Sequence, residues 1–352
     1  ASGLTINGAA LSSGATSING LTDGYYVGLS VGLGSGALAN DDGGSNRNTA
    51  VGYNALNSNT SGGFNTASGY KALTTNTTGT NNTATGFKAL GFNTSGTGNT
   101  ASGFYASYAN TTGTNNTAYG IYALRSNTTG SKNTATGKDS LYTNTTGTKN
   151  TASGYFSLRS NTTGNSNTAT GSYALQVNTA GASNTASGNE ALRYNTTGSF
   201  NTASGHNALK SNTTGGYNTA SGYKAMQDNT TGHRNTASGM DALRYNTTGI
   251  KNTASGYQSL RSNNTGSANT ANGYYSLKSN TTANYNTASG YYALKQNTTG
   301  TKNIGIGYGA GDVITTGSNN TIIGDYAGTT TLADTVVIAA GTTERLKIDA
   351  SG

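Results

Sequence analysis

The chain has 352 residues, of which 53 are Gly, and it contains no Pro, Cys or Trp. Only 9% of positions are charged and 32% hydrophobic, against roughly 25% and 45–50% in ordinary globular domains, so an enzyme built around a large apolar core is not expected. The absence of Cys excludes disulfide frameworks, thiol catalysis and Cys-ligated metal centres. The net charge of +8 is spread too thinly for a nucleic-acid footprint. His206 and His233 lie far apart in sequence, so neither a His-rich metal centre nor any cofactor is expected. No run of 18 apolar residues is present to cross a membrane. No basic-then-apolar leader opens the chain, and any secretion signal is expected to have been removed or never to have existed.

In chain order, residues 1–29 break any repeat and are expected to form a cap or a linker to an upstream fibre. A degenerate unit at Ser30–Leu38 follows, one residue out of phase with what comes next. From Asn48 an Asn recurs every 17 residues without a gap to Asn320, with the consensus N-T-A-S-G-Y-x-A-L-x-x-N-T-T-G-x-x. A second degenerate unit spans Val337–Gly341, and residues 342–352 are expected to form a capping strand. The repeat is too short for helical-pair or leucine-rich repeats and has no 3.5 or 3.6 apolar period. Thr, Ser, Tyr and Val favour extended backbone, and Asn and Gly favour bends. The prediction is an all-β, parallel β-solenoid over residues 30–341, one unit per coil. Each coil is expected to hold two strands, N-T-A-S-G-Y and A-L-x-x-N-T-T. Eighteen or so coils at ~4.8 Å predict a rod on the order of 85 Å.

Counting each repeat Asn as +0, Gly occupies +4 in every full unit and nearly all of +14, which implies bends or close backbone approach. Leu at +8 (Leu56, Leu73, Leu90) forms the core spine, with Ser107 and Met226 as variants. Asn at +0 and +11 can stack as amide ladders. Thr at +1 and the residue at +3 become Ile304 and Ile306 in one unit, so this face is expected to be buried. Ala at +2, as at Ala203, would then point toward a neighbouring chain. Position +5 is mixed (Tyr53, Lys138, His206, Asp325) and is expected to reach solvent in some coils. So thin a strip of Leu, Ala and Thr offsets little of the ordering entropy, and a homotrimer is expected to supply the rest.

The units N-I-G-I-G-Y-G-A-G at Asn303–Gly311 and N-T-I-I-G-D-Y-A-G at Asn320–Gly328 resemble the head repeats of trimeric autotransporter adhesins. That resemblance implies a trimeric, left-handed parallel β-roll, although the family's unit is shorter than 17 residues. The array as a whole is similar to bacteriophage tail-fibre shafts and related trimeric adhesive fibres. Thr343–Gly352 is similar to the linker strand that precedes a C-terminal intramolecular chaperone in many tail fibres. The chaperone and its Ser/Lys dyad are not in this sequence.

The resemblance implies a non-enzymatic fibre shaft, on a virion tail or a cell surface, that mediates host or surface attachment. A bacterial surface adhesin or attachment fibre is the near alternative. An ice-binding β-solenoid is the alternative of another class. Adjacent Thr residues of N-T-T point to opposite faces, and no strict T-x-T pattern runs through the array. The N-T-T triplets match the glycosylation acceptor, but their fixed phase reads as Asn ladders. Gly32–Gly36 reads as a bend and Asp41-Asp42-Gly43 as a turn. No catalytic or metal site is expected, and no residue is assigned to a receptor. Variable positions carry Tyr194, Tyr245 and Tyr292 beside Arg125, Arg159, Arg193, Arg244, Arg261, Lys278 and Lys295. Columns of this kind suit either a solubilising rod surface or contact with anionic cell-surface polysaccharide.

Overall fold

A computed structural model describes residues 5–6, 9–10, 24–349 and 351. Much of the predicted 1–29 segment therefore lies outside the described residues. Within it, β1 (Thr5–Ile6) pairs antiparallel with β2 (Ala9–Ala10), and β3 (Gly24–Val27) pairs antiparallel with β4 (Ser30–Leu33). The chain divides into two compact units, Ala1–Asn165 and Ser166–Gly352.

Both units are parallel β-solenoids. In the first, β4 is followed by three-residue strands from β5 (Thr49–Val51) to β11 (Thr151–Ser153). Each pairs in parallel with the next, Thr on Thr and Ala on Ala, as in Thr66↔Thr83 and Ala67↔Ala84. In the second, the ladder runs from β12 (Thr168–Thr170) to β21 (Thr321–Ile323) and on to β22 (Val336–Ala340). The first register step, Val31↔Thr49, carries the extra residue of the degenerate unit. Val336 aligns with Thr321 across a coil shortened to 15 residues. There β23 (Thr343–Ile348) turns back antiparallel on β22.

Each coil carries one strand, not the two expected. The T-A-S segment is extended, whereas A-L-x-x-N-T-T runs as turns and bends. The reason is backbone handedness. Gly at +4 takes positive φ, for example +140° at Gly69, and a Cβ there would lie 2.5 Å from the Gly86 carbonyl oxygen. The residues at +6 and +8 are also left-handed although they are not Gly: Lys71 has φ 54° and Leu73 φ 50°. Three such bends within five residues cannot belong to a strand.

The burial of the strand is the reverse of the expected one. Ala203 is 0% exposed and the Ala of its column at most 1% inside the single chain, while Thr202 and Ser204 face out. The strand's alternation decides this: Ala at +2 and the Ala–Leu pair at +7 and +8 fill the coil interior together. Ala is kept small because the interior is narrow, and no neighbouring chain is needed to explain it.

The rest of the interior is polar, and its Asn columns are hydrogen-bonded. The +0 amide donates across its own coil, Asn65 Nδ2 to the Gly79 carbonyl at 2.9 Å, and accepts from the next coil, Asn82 N to Asn65 Oδ1 at 3.0 Å. The +11 amides form a side-chain ladder, with Asn76 Nδ2 donating to Asn59 Oδ1 and Asn93 Nδ2 to Asn76 Oδ1, both at 2.8 Å. The following Thr adds a hydroxyl bond to the next coil, as in Thr77 Oγ1 to the Thr94 carbonyl at 3.1 Å. The irregular end coils keep the pattern with other residues. Buried Ser30 accepts from Asn48 N at 3.1 Å, and Thr335 N donates to Asn320 Oδ1 at 3.2 Å.

Candidate binding surfaces

Three surfaces arise from this coil, one on the strand and one at each flank of it. The strand surface consists of +1 and +3. From Val31 and Leu33 to Val336 and Ile338 these two columns contain no charged residue. Thr and Ser fill most of the middle, as Thr185↔Thr202 and Ser187↔Ser204, in strict register, with Tyr119 and Asn272 as the exceptions at +3. Both hydroxyl columns lie on one face, because the strand reads T-A-S or T-A-T with only Ala turned inward. The toward-the-C-terminus end of the face is aliphatic. Ile304, Ile306, Ile323, Val336 and Ile338 are all exposed there. Antiparallel pairing of Val336 with Ile348 and Ile338 with Leu346 adds two more exposed aliphatics to that side of the sheet.

The second surface follows Gly +4. Its rings stack from coil to coil in two blocks. In the first unit Tyr53, Tyr70, Phe87 and Phe104 stack with centroids 5.4, 5.0 and 5.2 Å apart. In the second, Tyr257, Tyr274, Tyr291 and Tyr308 do so at 5.1, 4.9 and 5.4 Å. The cations singled out from the sequence close on rings beside these blocks. Arg125 lies over Tyr122 and Tyr142, both at 5.5 Å, and Arg159 over Phe156 at 5.1 Å. Arg193 covers Tyr194 at 5.0 Å, and Arg244 and Arg261 share Tyr245 at 4.9 Å each. Lys278 and Lys295 sit over Tyr275 and Tyr292 at 4.2 Å. The ring stacks, with the Arg125–Tyr142 and Arg261–Tyr245 contacts, act as cross-coil staples, while Arg244, Lys278 and Lys295 cover rings of their own coil.

Charge is also partly neutralised there. Glu190 pairs with Arg193 at 2.7 Å and with Lys210 at 2.6 Å. Its carboxyl is held below the usual range, first by the hydrogen bond from Lys210. Asp241 pairs with Arg244 at 3.3 Å. The Tyr291 phenol is pushed up to about 12, chiefly by its hydrogen bond with Tyr292.

His206 and His233 occupy different columns: His206 stacks on Tyr223 at 5.5 Å, while His233 lines a groove on the other flank. Among the described residues no group of three or more His, Cys, Asp or Glu is placed to hold a metal ion. No helix among them is long and apolar enough to cross a membrane. Asp41 and Asp42 build a turn: Asp41 Oδ1 accepts from Gly43 N at 3.1 Å, and Asp42 Oδ1 from Gly44 N at 2.9 Å. The bond from Gly44 lowers the Asp42 carboxyl below its ordinary value. The Asn of each N-T-T triplet is buried, so the folded coil withholds it from modification.

The third surface lies at +15 and +16, two of the phases that vary freely in the sequence, although no residue there was singled out. Its aromatic residues, Phe64, Phe200, Tyr217 and Tyr285, are 52–65% exposed. Phe200 and Tyr217 stack at 4.9 Å beside Gly216, His233 and Arg234. The available signal was two aromatics in successive units at one phase, followed by Arg. Comparison with family models finds no match. Comparison with characterised proteins likewise finds no significant match.

Proposed function

We propose that the chain is the shaft of a non-enzymatic attachment fibre, of the kind carried by phage tails or cell surfaces, assembled from three copies. The strand face carries this reading. It is regular and uncharged in each unit, small-chained apart from Tyr119 and Asn272 through its Thr and Ser stretch, and it turns aliphatic toward the C-terminus, where seven exposed Ile, Val and Leu side chains converge on one side. Exposed aliphatic groups on one sheet face mark an association surface. Identical copies can cover it by rotation, because each coil repeats the same surface. Thr and Ser of +1 and +3, rather than the Ala column, would then meet at the symmetry axis. The flanks remain outside, with their Lys and Arg toward an anionic polysaccharide of the host or substratum.

Sedimentation equilibrium tests the assembly. A trimer is expected for the wild type, and Ile306→Lys with Ile323→Lys should give a folded monomer with unchanged circular dichroism. A monomeric wild type contradicts the proposal.

One observation favours a second reading. Thr and Ser or Thr flank Ala on the same exposed face in coil after coil, which is the hydroxyl grid that an ice-binding solenoid requires. Thermal hysteresis separates the two, since a face covered by sister chains cannot meet ice.

A further inference from the structure

At +15, where other coils of this flank carry Thr80, Thr97 or Thr114, the coil of Asn201 carries Gly216. The missing side chain opens a groove of about 360 Å³ between Phe200, Tyr217 and the row Thr197, Thr214, Thr231. This is the lower part of the ~300–1,000 Å³ range of small-ligand sites. Phe200 and Tyr217 are 52% and 59% exposed, stacked at 4.9 Å with planes 14° apart. Unlike the long stacks after Gly +4, this one holds two rings among the described residues, with Ser183 and Arg234 at the same phase in the coils on either side. The three Thr recur at one phase, one per coil, as a row of hydroxyls along the groove. His233 and Arg234 flank its end, and no carboxylate is among its lining residues.

We propose that this groove binds a carboxylated sugar unit of a surface polysaccharide. A pyranose presents an apolar C–H face to an aromatic ring and hydroxyls to its sides, and the groove offers rings and hydroxyls in that arrangement. Arg234, a planar cation with paired donors, suits a carboxylate. The assignment rests on the attachment reading in that it names the ligand such a fibre would hold. A uronic acid and a sialic acid share this chemistry.

The test titrates the full chain, in its assembled form, with oligogalacturonate, a sialylated trisaccharide and neutral maltotetraose, followed by saturation-transfer NMR. At least one carboxylated ligand is expected to bind, with Kd near ~1 mM or tighter, and maltotetraose at least about fivefold more weakly. Binding of one carboxylated ligand alone identifies the source, and binding of both assigns recognition to the shared chemistry. Gly216→Ser, whose Cβ would stand 2.9 Å from the Ser199 carbonyl oxygen and so shift this wall of the groove, should weaken binding roughly tenfold. Tyr217→Ala should do the same by removing the platform, and Arg234→Gln should abolish the preference over maltotetraose. Unchanged binding in Gly216→Ser and Tyr217→Ala overturns the site, as does failure of both carboxylated ligands to bind. Sedimentation of the same samples separates the two readings. Trimers that bind no carboxylated sugar overturn the groove alone, whereas monomers that bind through it overturn the trimeric fibre.

Discussion

The smallest unit of this fold is a residue held in a conformation that its type disfavours. Leu at +8 is left-handed throughout, from Leu56 at φ 50° to Leu294 at φ 48°. Such backbone costs about 1–2 kcal/mol per non-Gly residue, and burying the Leu side chain returns ~1.5–3 kcal/mol. Ser107 has the same backbone, φ 50°, without that return, and its buried hydroxyl has no hydrogen-bond partner. Ser107→Leu is therefore expected to raise unfolding free energy by ~1–3 kcal/mol in urea denaturation. A loss of stability would mean the coil has closed over the smaller residue. At half-buried +6 the cost has less compensation. Gln258, φ 53°, changed to Gly should leave stability level or raise it by up to ~1 kcal/mol. Gln258→Val should lower it by ~1–2 kcal/mol, since a β-branched residue fits the left-handed region worst. The Leu column itself was legible in the sequence because burial selects residue type. The handedness of +6 and +8 was not, because Lys, Tyr, Gln and Leu at those phases carry no mark of positive φ.

At the scale of the coil, cohesion comes from amides as much as from apolar side chains. Each +11 Asn both donates to one neighbouring coil and accepts from the other. Asn76→Leu would leave Asn59 Oδ1 and the amide of Asn93 without their ladder partners, at ~1–3 kcal/mol for each group left unpaired. Denaturant titration should show a loss of at least ~2 kcal/mol, and a variant within 0.5 kcal/mol of wild type would mean that water replaces the ladder. The Asn ladders were legible from strict phase. The number of strands per coil was not, since N-T-T has the composition of a strand but uses its Asn to bond the amide of the adjacent coil and the backbone of its own turn, and its first Thr to bond the backbone of the next coil. The inward turn of Ala was also misjudged, because Ile304 and Ile306 suggest burial when their exposed face is read without its Ala neighbours. The Tyr block adds a pH dependence. Tyr291 ionises at about 12 in the folded chain, whereas an unfolded Tyr does so near ~10. The folded state thus holds its proton longer, and this contribution to stability is full below pH ~10 and is lost as pH rises from there through about 12. Denaturation midpoints should fall across that window and fall less in Tyr291→Phe. Equal slopes would place the alkaline loss elsewhere.

For the molecule as a whole, the central question is what covers the strand face. Aromatic and cationic columns were visible in the sequence as surface chemistry, but their mutual stacking was not, since it depends on which phases share a flank. The groove at Gly216 was invisible for a simpler reason: it is made by an absent side chain. In the proposed fibre the strand face is used for assembly and both flanks are left for attachment. The chain has no native Cys, so a single introduced thiol reports its own surroundings. Thr202, exposed on the strand face of the single chain, and Thr248, exposed on the flank, are matched sites. The rate of maleimide labelling of Thr202→Cys, relative to Thr248→Cys, measures whether sister chains cover the face. The assembled fibre predicts labelling at Thr202→Cys slower by at least about tenfold, with the difference vanishing in the Ile306→Lys and Ile323→Lys background. Equal rates in the otherwise wild-type chain would contradict the account, because the strand face would then be open to solvent.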